Sequence, residues 1–204
     1  MKIFKFLFIA LMIGNLSLII GPAEAWRITP ELQKELDQKQ ANVRANPKDP
    51  AARFDLAITM AYTNNLIDGW ANLKKTVELD PNYRKVGLDT YEQKVRENVS
   101  DWRLRFRLAF AYYFNERKKE AIRELKNVII LDPYNVWAYG YIALIYGELN
   151  DIDTAMDYTR RGLKIDSNVA ALHLLLSEGY YKQGDGGRGW GERLEALRLR
   201  ALGY

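Results

Sequence analysis

Apolar residues recur three and four positions apart through most of the chain, and polar breaks cut the pattern at regular intervals. Lys118–Asn135 reads KKEAIRELKNVIILDPYN, an amphipathic helix that stops at Asp-Pro. Leu66–Tyr83 (LIDGWANLKKTVELDPNY) and Ile152–Val169 (IDTAMDYTRRGLKIDSNV) repeat the design. This spacing puts each apolar set on one helical face, and proline ends the first two helices because it lacks an N–H and clashes with a continuing turn. The breaks also keep a ruler. Pro47 and Pro81 are 34 residues apart, and so are Pro133 and Ser167, which takes the proline slot in KIDSN. Pro81 and Pro133 are separated by 52, one period plus 18. A fixed period of this size predicts a solenoid of paired helices.

Within each unit, the first helix carries a large residue beside a small one: Leu56-Ala57, Leu108-Ala109, Ile142-Ala143 and Leu176-Ser177. One turn further on come Met60, Tyr112, Tyr146 and Tyr180. The second helix has Ala121 and Ala155 in one slot, with Gly69 and Gly189 as variants, which predicts close approach of two helix axes there. Thr29-Pro30 and Asp49-Pro50 read as helix starts, with a capping side chain before a proline. Asn64-Asn65 and Asn150-Asp151 read as short turns between paired helices. In the 18-residue excess, RKVGLDTYEQKVRENVSD, Tyr91, Val95 and Val99 recur at helical spacing and predict an additional helix.

These residues resemble the tetratricopeptide repeat family: a large-small pair, an aromatic one turn on, a small residue in the second helix, then proline. The best matches are Ile142-Ala143, Tyr146 and Ala155, and Leu108-Ala109, Tyr112, Ala121 and Pro133. The family tryptophan slot instead holds Arg53, Arg105, Tyr139 and His173, and the turn glycine is present only as Gly184. The resemblance implies an all-α helix-turn-helix repeat solenoid, a right-handed superhelix of about 3.5–4 repeats plus an inserted helix. The frame gives a half-repeat over 29–49, repeats over 50–83, 102–135, 136–169 and 170–204, and the inserted helix within 84–101.

It also implies a concave face built from fixed positions of each first helix. From these come the candidate partner-binding residues Phe54, Ile58, Arg103, Phe106, Phe110, Tyr113, Trp137, Leu144, Glu178 and Tyr181. The alternative for Phe106 and Phe110 is packing against the inserted or N-terminal helix. The charged clamp with which some family members hold a chain-terminal carboxylate falls on Phe54, Phe106 and Phe110, so the expected partner is a protein or peptide held by apolar contacts. Gly140 and Gly147, on the same face, suit close approach by a partner or a neighbouring helix.

The first residues, MKIFKFLFIALMIGNLSLIIGPAEAW, have the form of a signal peptide. Lys2 and Lys5 precede an apolar run over Phe6–Ile20, and Ala23-Glu24-Ala25 is a cleavage pattern. The run is short for a bilayer span, which needs about 20 residues. Residues 1–25 are thus expected to be a signal peptide or an N-terminal anchor, and either places the domain (26–204) outside the cytoplasm.

Composition narrows the chemistry. The chain of 204 residues has no cysteine and one histidine, His173, in the apolar stretch AALHLLLSEGYY. This excludes disulfides, thiolate catalysis and cysteine metal sites. The glycine-rich YKQGDGGRGWGE lacks the strand before and the Lys-Ser/Thr after that a phosphate loop requires. It reads as a turn before a last helix over Glu192–Leu202, whose Leu194, Leu197 and Ala201 would cap the array. The net charge of +4 is mild, and the arginines at 188, 193, 198 and 200 read as a solvated face rather than a nucleic-acid site. No metal or cofactor is expected. The reading is an exported interaction or scaffold module that binds protein or peptide. Its alternatives are a membrane-anchored assembly factor and a self-assembling structural protein, with an enzyme disfavoured for want of a nucleophile or acid–base pair.

Overall fold

The computed structural model describes residues 28–202. The proposed signal or anchor segment lies outside the described residues. Among the described residues, ten helices follow one another: α1 (Pro30–Ala45), α2 (Pro50–Ala61), α3 (Leu66–Leu79), α4 (Tyr83–Glu97), α5 (Trp102–Phe114), α6 (Lys118–Leu131), α7 (Val136–Glu148), α8 (Ile152–Ile165), α9 (Ala170–Lys182) and α10 (Gly186–Ala201). None among the described residues is long and apolar enough to cross a membrane.

Local chemistry sets the helix ends. Asp49 accepts the Ala51 N–H at 2.8 Å, and Asp101 accepts those of Arg103 and Leu104 at 2.8 and 3.2 Å. Asn135, Asp151 and Asp185 cap α7, α8 and α10 in the same way. Each such bond satisfies an amide that has no partner within the helix. The turn inside each pair is built identically four times. Asn64, Glu116, Asn150 and Gly184 have φ of 56°, 59°, 63° and 81°. The next residue's N–H returns to the helix: Asn65 to Met60 O, Arg117 to Tyr112 O, Asp151 to Tyr146 O and Asp185 to Tyr180 O, at 2.9–3.0 Å. This is the Schellman closure of a helix C-terminus, and three of the four turns use a non-glycine residue in the left-handed conformation.

The pairs α2–α3, α5–α6, α7–α8 and α9–α10 stack into an all-α solenoid with a core running from Leu32 to Leu172. In each stacking contact, the second helix of one pair lies against the first helix of the next through a residue fourteen positions before the latter's start. These residues are Ile122 and Met156, and α1 uses Leu36 in the same way against Leu56 and Met60 of α2. The equivalent residue before α5 is Leu88, on α4. So α4 is itself a second-type helix: it lies on α5, and Tyr112 Oη donates to Glu92 at 2.8 Å. The 18-residue excess is therefore half a repeat, and α3 and α4 are two second-type helices in succession.

That succession displaces the first pair. α3 cannot stack on α5 because α4 already does. Instead the α2–α3 corner lies over α5 and α7. Tyr141 Oη donates to Ala61 O at 3.2 Å, and Trp70 shares a small cavity with Phe110, Tyr113, Tyr141 and Leu144.

The last helix departs from expectation. It begins at Gly186, not Glu192, because Asp185 caps it and the left-handed Gly184 closes the turn. Gly189 lies under the Tyr181 ring, where a Cβ would come within 3.0–3.1 Å, and Ser177 Oγ donates to its carbonyl at 2.7 Å. The buried face of α10 carries Ala196 and Leu199, while Leu194, expected to cap the array, is exposed.

Candidate functional site

Six of the ten candidate residues are interior. Phe54 packs among Tyr83, Tyr91 and Phe114, which places it under the half-repeat helix α4. Ile58 is fully buried in the main core. Phe106 stacks on Phe110 and meets Tyr62 and Tyr141 edge-on at centroid distances of 5.3 and 5.7 Å. Phe110 meets Tyr141 at 4.8 Å. Tyr113 is buried with its hydroxyl on Glu148 at 2.6 Å. Trp137 is largely covered at the floor of a groove. The expected open aromatic face is thus filled in its first half by the chain's own α2–α3 corner, because α4 has taken the stacking position.

Arg103 is engaged as well, in a polar cluster that joins α1, α2, α4 and α5. Glu35 accepts Arg103 Nε at 2.8 Å, Arg107 Nη2 at 2.9 Å and Tyr62 Oη at 2.7 Å. Asp55 takes Lys39 Nζ at 2.8 Å and Arg107 Nε at 3.4 Å, and accepts the Tyr91 hydroxyl. Arg107, with 4% of its side chain exposed, also donates to Thr59 Oγ1 at 2.9 Å. Burial would raise both carboxyls, but the Arg107 charge and the donated hydrogen bonds outweigh it and hold Glu35 and Asp55 below their usual range. Burial pushes the Tyr62 phenol up to about 12. Each carboxylate is shared between two cations and a hydroxyl donor, so the cluster acts as a lock between the first pair and the rest.

Leu144 and Glu178 line an open groove of about 370 Å³. Its walls come from the start of α3 (Leu66, Trp70), from α7 (Trp137, Tyr141, Leu144), from α8 (Ile152, Met156) and from α9 (Leu174, Leu175). Gly140 and Gly147 both border it; a Cβ on Gly147 would meet nothing within 4 Å. Charge sits at the rim: Lys118 pairs with Glu148 at 3.0 Å, and Arg193 with Glu178 at 3.1 Å. Tyr181 stands outside, exposed over α10. Ala155, expected at a close helix contact, is half-buried on the groove wall, whereas Ala121 is fully buried. The first-helix frame missed Leu66, Trp70 and the α8 wall. Trp70 was the available signal, an outsized residue in a slot that holds Leu, Ile or Met in α1, α4, α6 and α8.

Among the described residues, no group of three or more His, Asp or Glu side chains is placed to hold a metal ion. His173 bridges Glu192 Oε2 at 2.7 Å and Ser167 O at 2.9 Å, which ties α9 to α10.

No protein-family model matches this chain, and no curated protein does. Solved structures do. MamA MSR-1 superposes with a TM-score of 0.55 at 14% identity, over 87% of this chain and 100% of that one. MamA AMB-1 gives 0.54 at 15%, over 83% and 92%. YrrB, described as a TPR protein with an unusual peptide-binding site, gives 0.52 at 16%, over 80% and 93%. At these identities the likeness is one of architecture, and the architecture this chain shares with them is the tetratricopeptide-type helical solenoid.

Proposed function

We propose that the protein is a non-enzymatic interaction module that holds an apolar segment of a partner protein in the groove between α3, α7, α8 and α9. One observation carries this reading. The chain's own α3 enters the adjoining part of the same concave face with Leu66 and Trp70, a large aliphatic and an aromatic residue one helical turn apart. The open remainder is likewise lined mainly by apolar side chains, from α7, α8 and α9. The occupant it suits is therefore an amphipathic helix with a Leu- or Ile-type residue and an aromatic residue at i and i+4. The peptide-binding site in the description of YrrB supports this use of the fold.

A display library of amphipathic helical peptides, selected on the full chain, tests the reading. Enriched peptides should carry the aliphatic-aromatic spacing and lose binding to Leu144→Asp, while Ile130→Asp, a change on the exposed outside of α6, should leave binding unchanged. No enrichment, or binding indifferent to Leu144→Asp, would refute it. The module is further proposed to work outside the cytoplasm, on the strength of residues 1–25 alone. N-terminal sequencing of the native protein should find Trp26, with an intact Met1 favouring the anchored form.

A further inference from the structure

The two ends of the solenoid are finished differently. At the N-terminal end, the outward positions of α1 are polar: Gln33, Lys34, Asp37, Gln38 and Asn42 are all exposed. Such a surface suits the end of an array, which α1 is among the described residues. At the other end, α10 presents Trp190, Leu194, Leu197 and Ala201, spaced by four, three and four residues along one stripe. Trp190 lies 34 residues after Met156, in the stacking slot of the repeat. Met156 is 1% exposed beneath α9, but Trp190 is 54% exposed. Leu194 is 47% exposed at a position where α1, α4, α6 and α8 carry Gln40, Glu92, Lys126 and Arg160. The helix with no successor among the described residues thus has the most apolar stacking surface of the set.

A second copy cannot extend the array head to tail. Each first-type helix already has its stacking face covered: α2 by α1, α5 by α4, α7 by α6 and α9 by α8. The stripe is, however, complementary to itself. Laid antiparallel about a two-fold axis between residues 195 and 196, it sets Trp190 against the partner's Ala201 and Leu194 against the partner's Leu197, so large meets small at the ends and leucine meets leucine at the centre. Arg198, which in the protomer holds Glu195 at 2.5 and 2.8 Å, stands two residues, about 3 Å along the axis, from the level of the partner's Glu195.

We propose that the protein forms a two-fold dimer through α10, with this stripe as the seam. It would leave the groove open in both copies, independent of whether a peptide binds there. Sedimentation of the purified full chain tests the idea. The expected species is a dimer of the 23.6 kDa chain, dissociating with Leu194→Glu while far-UV circular dichroism and thermal midpoint stay unchanged. The chain has no cysteine, so single-cysteine variants report the register. Trp190→Cys mixed with Ala201→Cys should give the mixed disulfide, and Ala201→Cys alone should give none. A monomer at all concentrations overturns the proposal, including one that binds anionic vesicles through Trp190. So does a dimer that survives Leu194→Glu. Open-ended oligomers also overturn it, since they would mean the stripe enters the next copy's groove.

Discussion

Arg107 is the residue whose removal should separate the two halves of the protein most sharply. It joins Glu35 of α1 and Asp55 and Thr59 of α2 to α5 while almost fully buried. Arg107→Met keeps the volume of the stem and removes the charge. Breaking a buried ion pair by deleting one partner costs about 3–5 kcal/mol. Here Glu35 keeps Arg103, and Asp55 keeps Lys39, so the low end applies, about 3 kcal/mol at pH 7. The pH dependence gives a second, independent check. Both carboxyls sit below their ordinary values of 4.5 and 3.8 in the folded protein, so their stabilisation is present above those values and is lost as pH falls through the folded ones. Without Arg107 they are less depressed and have less to lose. Urea denaturation followed by far-UV circular dichroism should therefore show a gap between wild type and variant that narrows from pH 7 to pH 3. Glu35→Gln should couple to it in a double-mutant cycle. A gap under about 1 kcal/mol at pH 7, typical of an exposed pair, or one that does not change with pH, would refute the lock.

Three further expectations follow from the packing. Gly179→Ala would place a Cβ 2.5 Å from Met156 Cγ and should destabilise the α8–α9 contact by about 1–3 kcal/mol, measured by the same denaturation. Ala121→Leu should cost a similar 1–3 kcal/mol by overpacking, whereas Ala155→Leu, on the groove wall, should cost less and instead weaken peptide binding by titration. At the left-handed turn positions, Gly184→Ala should cost about 1–2 kcal/mol, and Glu116→Gly should raise the thermal midpoint, because only glycine adopts φ near 60–80° without a Cβ penalty.

Much of the molecule was legible because it is local. Capping residues, Asp-Pro stops and the 34-residue ruler place four helix pairs without reference to any distant contact. The half-repeat helix α4 was visible too, through Tyr91 and Val95. Its consequence was not. A helix in the stacking slot of α5 forces the first pair elsewhere, and the place it finds is the aromatic face that the repeat frame assigns to a partner. Phe106 and Phe110 are the same residues in either arrangement, and their spacing cannot say whether Tyr62 and Tyr141 or a foreign chain will cover them. Nor could the pairing of Glu35 with an arginine 72 residues away be read from either segment. The exposed stripe on α10 shows the same division. Its helical spacing was plain in the sequence, but which side met the core depended on how closely Gly189 let the helix approach Tyr181. Periodicity determines which residues share a face, through the geometry of one helix. Which face is covered, and by what, is decided by long-range packing among helices competing for the same apolar surface.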